Sequence, residues 1–375
     1  MLRKRASGSN IFIFGTTGEL IKIFPLLRKL EELKIPVELW STAQQIEELP
    51  AALSSLHIKS TTEWLCNGVK GKSLHTKRDV VRWFGIISIA FLKRFWRLRS
   101  TAKQGAIFVH GDTMTTAIAA LFGRVSGGRV VHIEAGMRSG DWRNPFPEEL
   151  SRRAVAHLSS INYAPGETAV NNLRKARGRT VNTQVNTISD ALKIALQVIP
   201  DDSGVKVGLV SVHRSELYEN DLLFKEFLTE LTLHGRENAM VFIDHPVTAR
   251  RITNLGMDKL FQDTRIKRVP KLQYFEFVKL LANSSYVITD SGGLQQECEI
   301  TGHPCLVHRA VTESVDLARS NIVLSKLNIE TLRLFLENPQ RFALEFSGDI
   351  PSATELIYTD LLESRVLAHF HHGLN

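Results

Sequence analysis

The 375-residue sequence is poor in cysteine and in long apolar runs. Its three cysteines do not have the spacing of a metal site. No run reaches the length of about eighteen apolar residues that a membrane-spanning helix needs. The nearest candidate, residues 83–95, is shorter and contains two basic residues, and the basic segment 1–10 is not followed by a signal-peptide cleavage region. These absences predict a cytoplasmic protein with reduced cysteines and without stable membrane insertion.

The sequence also lacks the motifs of the common cofactor sites. The glycine turn at residues 15–19 reads GTTGE, which is not the G-x-G-x-x-G fingerprint of dinucleotide binding. Residues 70–73 resemble the end of a P-loop, but Cys66 stands where the first glycine of that motif belongs. The histidines do not show metal-ligand spacing. We therefore expect neither a metal nor an organic cofactor.

Positive charge is in excess, with a formal net charge of +8. Such an excess favours an anionic ligand, which can be a nucleic acid, an acidic membrane surface or a phosphorylated metabolite. Part of the excess lies in residues 70–78 and 93–99, on either side of the apolar stretch 83–92. A solvated helix face beside a core helix is the simpler interpretation of this pattern. Peripheral contact with an anionic bilayer is the alternative.

Short β-branched runs alternate with longer amphipathic stretches, a pattern typical of parallel α/β sheets. The length suits two domains. We predict Rossmann-like domains over residues 1–185 and 186–351, facing a central cleft, with a closing helix over 352–372 that packs back on the first. The predicted strands are Ile11–Phe14, Val37–Trp40, Ala106–His110, Val130–Glu134 and Ile161–Ala164, then Val207–Val212, Met240–Asp244, Tyr286–Thr289, Cys305–His308 and Ile322–Leu324.

Five of these strands end in polar, ionisable or glycine residues. Because ligands of open parallel sheets bind at the carboxyl ends of the strands, these positions are the candidate site. The strand ends are Gly15-Thr16, Gly111-Asp112-Thr113, Glu134-Ala135-Gly136, His213-Arg214 and Asp290-Ser291-Gly292-Gly293.

Carboxylates and a helix start are the chemically informative groups among them. Asp112, Glu134 and Glu148 come from successive loops of one domain, and carboxylates that share a cleft can divide the roles of acid and base. Ser291 can cap a helix whose free amides would bind phosphate, with Arg309 adding charge. Each group taken singly also fits an ordinary cap or surface ion pair.

Taken together, these residues resemble the non-hydrolysing UDP-N-acetylglucosamine (UDP-GlcNAc) 2-epimerases. The resemblance extends from about residue 11 to about residue 320 and follows the order of the family's motifs. The matching segments are Gly15-Thr16 with Glu19 and Lys22, His110–Thr113, His132–Asp141, Asn144–Glu149 with Arg152-Arg153, Asn186-Thr187 with Asp190–Leu192, His213-Arg214, Asp290–Gly293 with Gln295 and Glu297, and Arg309 with Thr312-Glu313.

This resemblance implies a GT-B-type fold and interconversion of UDP-GlcNAc and UDP-N-acetylmannosamine (UDP-ManNAc). UDP would be eliminated to give a 2-acetamidoglucal and then added back, for use in cell-surface polysaccharide synthesis. It implies a homodimer with a UDP-sugar substrate and no nucleic-acid partner. The implied catalytic residues are Asp112, Glu134, Glu148 and His213, and the implied substrate-binding residues are Lys22, Arg138, Phe277, Ser291, Gly292, Gly293, Glu297 and Arg309.

Departures from the family pattern leave alternatives open. Thr17-Gly18 replaces the usual Arg-Pro, the histidine motif continues as Ser215-Glu216 rather than Arg-Glu, and Val185 replaces a glycine. The alternatives are a hydrolysing epimerase that releases ManNAc and UDP, a GT-B glycosyltransferase, and a UDP-sugar-binding protein without turnover.

Overall fold

The computed structural model describes residues 9–74, 76–102, 105–139, 148–198, 206–312, 321–345 and 351–367. The chain divides into two compact units, Met1–Ala191 with Pro351–Asn375, and Leu192–Ile350. The sequence places the corresponding domain boundaries after residues 185 and 351. Among the described residues, no helix combines the length and the apolar character that crossing a membrane requires.

The first unit is a parallel sheet with helices between its strands. Its strands are β1 (Asn10–Phe14), β2 (Val37–Ser41), β3 (Thr62–Trp64), β4 (Ala106–His110), β5 (Arg129–Ile133), β6 (Ile161–Ala164) and β7 (Arg179–Asn182). Its helices are α1 (Thr17–Glu32), α2 (Leu49–Ser55), α3 (Lys77–Lys93), α4 (Phe95–Ala102), α5 (Met114–Val125), α6 (Glu148–Leu158) and α7 (Glu167–Asn172), while α8 (Ile188–Val198) continues into the second unit. The strand order is β3-β2-β1-β4-β5-β6-β7, and every paired strand is parallel.

The second unit repeats this plan with six strands. They are β8 (Val207–Ser211), β9 (Met240–Asp244), β10 (Ile266–Pro270), β11 (Ser284–Thr289), β12 (Cys305–Val307) and β13 (Ile322–Leu324). The helices are α9 (Ser215–Tyr218), α10 (Asp221–His234), α11 (Pro246–Asn254), α12 (Tyr274–Ala282), α13 (Gly292–Thr301) and α14 (Ile329–Glu337), with 3-10 turns at Asp258–Phe261 and Pro339–Phe342. The order β10-β9-β8-β11-β12-β13 is also parallel throughout.

Each sheet has the strand order of a Rossmann fold, so each has a switch point where the chain reverses its direction across the sheet. The switch lies between β1 and β4 in the first unit and between β8 and β11 in the second. Because ligands bind at the carboxyl end of such a switch, the loops after these four strands are the first place to look for a site. The predicted α/β fold class is confirmed.

Buried apolar strands explain why both sheets form. Every residue of β1 and β4 is buried, and the Phe12 and Phe108 rings stack with their centroids 4.2 Å apart. In the second unit, Phe224 and Phe227 of α10 are buried in the core together with Phe242 of β9. Continuous apolar runs of this kind are typical of sheets covered on both faces.

Three strands were missing from the sequence prediction, and each lies at the edge of its sheet. They are β3, β7 and β10, with the sequences TEW, RTVN and IKRVP. Edge strands carry charged residues and proline because only one side is paired, so they lack the apolar run that reveals an inner strand. The ten predicted strands are all present; four have the predicted bounds and the other six have ends shifted by one or two residues.

The closing helix, α15 (Ala353–Glu363), contacts the first unit. Tyr163 Oη donates to Asp360 Oδ2 at 2.7 Å, and Arg179 donates to both oxygens of the same carboxylate. The backbone N of Thr354 donates to Asp190 Oδ2 at 2.8 Å. The sequence predicts a helix over 352–372, but the helix ends at Glu363 and residues 364–367 are not helical, so the predicted end is wrong. Residues 368–372 lie outside the described part of the chain.

Candidate active site

The turn after β1 is packed so closely that it requires glycine at position 15. A Cβ on Gly15 would lie 2.2 Å from Thr115 Oγ1 and 2.4 Å from Thr42 Oγ1. Thr16 then caps α1 in a capping box with Glu19, and the Glu19 carboxylate also accepts from Thr113 Oγ1 at 2.7 Å. Glu19 therefore ties the loop after β1 to the loop after β4.

The first residue of α1, Thr17, is hydrogen-bonded within the protein. The backbone N of Thr17 donates to Gln45 Oε1 at 2.9 Å, and Thr17 Oγ1 lies 3.4 Å from Glu48 Oε2. A Cβ on Gly18 would meet no atom within 4 Å, so packing does not demand glycine there. The Thr17-Gly18 replacement noted in the sequence thus leaves the local fold intact.

Glu134 lies directly after β5 in a left-handed backbone conformation, with φ 62°. Its Oε2 lies 2.5 Å from Lys22 Nζ and 3.2 Å from His110 Nε2. Burial acts to raise the pKa of Glu134, but the Lys22 and His110 charges outweigh it and hold this pKa well below its usual value. Glu134 is therefore an anion, and a non-glycine residue in this conformation points to a functional constraint.

Asp112, after β4, is held by Arg152 of α6. Arg152 Nη2 lies 2.5 Å from Asp112 Oδ2 and Arg152 Nε lies 2.8 Å from the same oxygen. Charge-assisted hydrogen bonds of this kind are short and fix orientation. The Asp112 carboxylate is thus held in place by a residue forty positions away in the sequence.

Glu149 is a fully buried carboxylate that holds the arginines of this region. Its oxygens lie 3.4 Å from Arg152 Nη1, 3.2 Å from Arg153 Nε and 3.6 Å from Arg138 Nε. Ser139 N also donates to Glu149 Oε2 at 3.3 Å. Arg138, predicted to bind substrate, is therefore paired with Glu149 in this structure.

Glu148 is the first residue of α6. Its Oε2 is buried and has no hydrogen-bond partner among the described residues. A buried oxygen without a hydrogen-bond partner is costly, so this position is a candidate contact for a ligand. The preceding part of this predicted motif, residues 140–147, lies outside the described residues.

His132 supports the loop that carries Asp112. Its Nε2 lies 2.8 Å from the Gly111 carbonyl oxygen, and Gly111 has the positive φ of 65° that favours glycine. Because a carbonyl only accepts, Nε2 must carry the hydrogen. Burial lowers the pKa of His132 to about 4, so the ring is neutral at pH 7.

In the second unit, Asp290 joins the loops after β11 and β8. Its buried carboxylate accepts from the backbone N of His213 at 2.8 and 3.0 Å and from the backbone N of Arg214 at 2.8 Å. Burial raises the pKa of Asp290 to about 6, against the opposing effect of these hydrogen bonds. Asp290 thus fixes the backbone of the predicted catalytic histidine.

The His213 ring is neutral at pH 7. Burial of the ring lowers its pKa to about 4, with further lowering by the charges of Arg214, Lys271 and Arg309. The ring retains an exposed face while its Nδ1 is shielded. It packs at 4.5 Å from the His245 ring, and His245 Nε2 lies 3.0 Å from Ser211 Oγ.

The start of α13 carries the predicted nucleotide-binding residues. Ser291 caps the helix by accepting from Leu294 N at 3.5 Å. Gly292 does not have a positive φ, and a Cβ on it would meet no atom within 4 Å, so neither backbone nor packing demands glycine. Glu297 of the same helix is buried. Burial of Tyr274 and the nearby charge of Glu297 raise the pKa of Tyr274 well above its usual value.

Arg309 and Phe277 complete the predicted set. Arg309 is buried after β12, and its Nε donates to Glu216 Oε1 at 2.9 Å. Phe277 lies half-buried on α12. Thr312, which was part of the family resemblance, donates to Gln295 Oε1 at 2.6 Å, while Glu313 lies outside the described residues.

The structure therefore brings the predicted residues together in two clusters. The first unit holds Lys22, Asp112, Glu134, Arg138 and Glu148, and the second holds Phe277, His213, Ser291, Gly292, Gly293, Glu297 and Arg309. Three residues that contact the first cluster, His110, Glu149 and Arg152, were not predicted as site residues. Within the described residues, no group of three or more His, Cys, Asp or Glu side chains is arranged to hold a metal ion.

Comparison with known proteins identifies the family of this chain. A family model described as UDP-N-acetylglucosamine 2-epimerase matches residues 86–331. The chain is 30% identical over 334 residues to the UDP-N-acetylglucosamine 2-epimerase of Salmonella borreze, covering 84% of this chain and 85% of that protein. The chain belongs to the UDP-N-acetylglucosamine 2-epimerase family.

Solved structures of relatives extend the family likeness to nearly the whole chain. The Methanocaldococcus jannaschii UDP-GlcNAc 2-epimerase in complex with UDP-GlcNAc and UDP has a TM-score of 0.78 and 27% identity, covering 95% of this chain and 99% of that chain. The Neisseria meningitidis UDP-GlcNAc 2-epimerase bound to UDP-GlcNAc has a TM-score of 0.79 and 26% identity, covering 95% and 100%. The predicted UDP-GlcNAc 2-epimerase family and α/β fold are confirmed, while the non-hydrolysing type stays a prediction. This family member is an enzyme of two parallel-sheet α/β units.

Proposed function

We propose that this family member interconverts UDP-GlcNAc and UDP-ManNAc by eliminating UDP and adding it back, without releasing the free sugar. The observation that carries the proposal is the set of three carboxylates in the first unit, each in a different environment. Glu134 is paired with Lys22 and His110, Asp112 is paired with Arg152, and Glu148 has a buried oxygen without a partner among the described residues. Such a set can divide charge stabilisation and proton transfer between its members.

The first step requires a stabilised positive charge at C1. The C1–O bond to UDP breaks with oxocarbenium-like character, the bonding electrons leave with UDP, and the C2 hydrogen leaves as a proton. Anionic groups near the sugar ring stabilise such a transition state. Glu134 and Asp112 suit this role because their paired cations keep them in fixed orientations.

The proton leaves C2 on one face in this first step, and a proton must return to C2 on the other face in the second. Glu148 is suited to accept or return it, because its buried oxygen has no hydrogen-bond partner among the described residues and is therefore left for the substrate. His213 is the second candidate, since a neutral ring can accept a proton. Return of a proton to C2 and attack of UDP at C1 regenerate a UDP-sugar with the other configuration at C2.

UDP itself would be held by the second unit. The free amides at the start of α13 and the helix dipole favour a phosphate group, and Gly292 leaves room for close approach. Arg309 and the cations around His213, namely Arg214 and Lys271, supply compensating positive charge. Glu297 has a buried carboxylate on the same helix and suits a hydroxyl of the ribose.

Incubation of the purified protein with UDP-GlcNAc, followed by NMR of the anomeric protons, tests this proposal. We expect an equilibrium mixture of two UDP-sugars with no free sugar. Accumulation of ManNAc and UDP would show a hydrolysing epimerase instead. Unchanged UDP-GlcNAc that is nevertheless bound would indicate a UDP-sugar-binding protein.

The proposal also includes a homodimer and a role in supplying an amino-sugar donor for cell-surface polysaccharides. Sedimentation equilibrium tests the first point, and we expect twice the chain mass of 42.1 kDa. Deletion of the gene followed by analysis of surface-polysaccharide sugars tests the second, with loss of N-acetylmannosamine or its derivatives as the expected result.

A further inference from the structure

Large apolar side chains face outward along α3 and α4. Val81, Ile89 and Leu92 of α3 and Trp96 of α4 are 73%, 54%, 62% and 75% exposed, respectively. The spacing of Val81, Ile89 and Leu92, with Gly85 between the first two, places these residues on one side of α3, and Trp96 is exposed at the start of α4. We call these four residues the outward strip.

The fold cannot bury the outward strip by rotating α3. The opposite side of the helix carries Trp83, Ile87 and Phe91, which are fully buried in the core of the first unit. Trp83 Nε1 also donates to the Thr42 carbonyl oxygen at 2.8 Å. Both sides of α3 are apolar, and the inner side is already packed in the core. The outward strip therefore stays exposed in the folded chain, as expected for a surface that binds a partner.

Exposed basic residues lie beside the outward strip in the sequence of the same two helices. Arg78, Arg82, Lys93 and Arg99 are exposed on the same two helices. In residues 77–102 the sole acidic residue is Asp79, whose carboxylate is used in the capping box with Thr76. The other two arginines, Arg94 and Arg97, pair with Glu63 and so serve the fold.

We propose that the outward strip docks the protein on the surface of an anionic lipid bilayer. An apolar side with tryptophan, combined with lysine and arginine at its margins, is the pattern of helices that lie in the membrane interface. The charges favour a lipid bilayer over a second copy of the chain as the partner. Anionic headgroups attract the basic residues beside the strip, whereas a second copy would bring two sets of basic residues together. The helices lie on the membrane and do not cross it, in keeping with the absence of a spanning helix among the described residues.

Vesicle binding by the full-length protein tests this proposal. The probes are vesicles of phosphatidylcholine alone and of phosphatidylcholine with phosphatidylglycerol in equal parts, analysed by co-sedimentation. We expect binding to the anionic vesicles only, weakened by added salt because the headgroup contribution is electrostatic. Brominated lipids should quench tryptophan fluorescence, and Trp96→Phe should remove most of that quenching.

Two sets of variants distinguish the contribution of the apolar strip from that of the basic residues beside it. Ile89→Glu with Leu92→Glu should lower the partition coefficient at least about tenfold, equivalent to about 1.4 kcal/mol, and Arg82→Glu with Lys93→Glu should abolish the preference for anionic lipid. Leu222→Glu is the matched control, since Leu222 is 68% exposed on α10 of the second unit. All of these side chains are exposed and lie outside both clusters of site residues, so the rate of UDP-GlcNAc turnover without vesicles should stay unchanged.

Three results would overturn the proposal. One is a lack of binding to anionic vesicles at low salt, and another is binding that Ile89→Glu with Leu92→Glu leaves unchanged. The third is a wild-type dimer that does not bind vesicles and becomes a monomer in the same double variant, which would assign the outward strip to a second copy of the chain.

Discussion

Lys22 Nζ lies 2.5 Å from Glu134 Oε2, although the two residues are 112 positions apart in the sequence. This contact joins the first helix of the chain to the strand end that carries a central carboxylate of the candidate site. His110 contacts the same oxygen at 3.2 Å. The three residues form one charged unit, so a change in any one of them should alter the titration of Glu134.

Replacing Lys22 by methionine should raise the pKa of Glu134. Burial raises this pKa, and the substitution removes one of the two cations that lower it. The acid limb of the pH profile of kcat/KM should therefore move to higher pH. Near neutrality kcat/KM should fall by about ten- to a hundredfold, the value expected for the loss of a charge-assisted hydrogen bond. Steady-state kinetics across pH measures both effects. Lys29→Met is the control: Lys29 lies on the same helix as Lys22 but pairs with Glu355 of α15, so its loss should leave the profile in place. An acid limb that does not move in Lys22→Met would argue against this role.

Glu149→Gln should destabilise the first unit strongly. The substitution removes a buried carboxylate that lies against Arg138, Arg152 and Arg153. Arg138 and Arg153 then lose this counter-charge, while Arg152 keeps its contact with Asp112. Breaking a buried pair in this way typically costs about 3–5 kcal/mol. Denaturant unfolding measures the loss, and Glu355→Gln, in an exposed pair, should cost no more than about 1 kcal/mol. Equal effects of the two substitutions would contradict the assignment of Glu149 as the anchor of these arginines.

Acid should destabilise the protein between pH 6.5 and 4. His132, His213, His303 and His308 have pKa values lowered from 6.5 to about 4, chiefly by burial. The unfolded chain therefore binds these protons first as the pH falls, and the free energy of unfolding decreases. Asp290 acts in the opposite direction, because its pKa is raised to about 6 and the folded state binds that proton first.

His132→Gln should reduce this pH dependence by up to about 1.4 kcal/mol per pH unit, the value for one proton. Unfolding free energies measured from pH 7 to pH 4.5 provide the slope. His57→Gln is a suitable control, since His57 is exposed after α2. A slope that His132→Gln leaves unchanged would mean that His132 can be protonated without unfolding.

Gly292→Ala should weaken UDP binding while leaving the fold intact. The protein has room for the added methyl group, since no atom lies within 4 Å of that position, so any loss must come from the ligand. Alanine in a helix should even stabilise the second unit by about 0.4–1 kcal/mol. Gly18→Ala in the first turn of α1 is the matched control, because its Cβ also meets open space. Calorimetric UDP affinity that is equal in Gly292→Ala and wild type would move the phosphate site elsewhere.

The sequence predicted the inner strands and the loops that follow them because both depend on local patterns. Glu134 could be located from its position after a β-branched run, and α6 places Glu148 and Arg152 four residues apart on one side of a helix. Contacts between distant segments could not be predicted in this way. The pairing of Arg152 with Asp112 and of His110 with Glu134 depends on the order of strands in the sheet, and the half-exposed edge strands had no apolar run to reveal them.

The fate of the C2 hydrogen tests the central claim most directly. Elimination and re-addition must exchange that proton with solvent, because the glucal intermediate does not carry it. Wild-type protein in heavy water should place deuterium at C2 of both UDP-GlcNAc and UDP-ManNAc. Asp112→Asn and Glu134→Gln should slow this incorporation by about a hundred- to ten-thousand-fold, with little change in UDP affinity. Formation of the second epimer with the original C2 hydrogen retained would contradict the account.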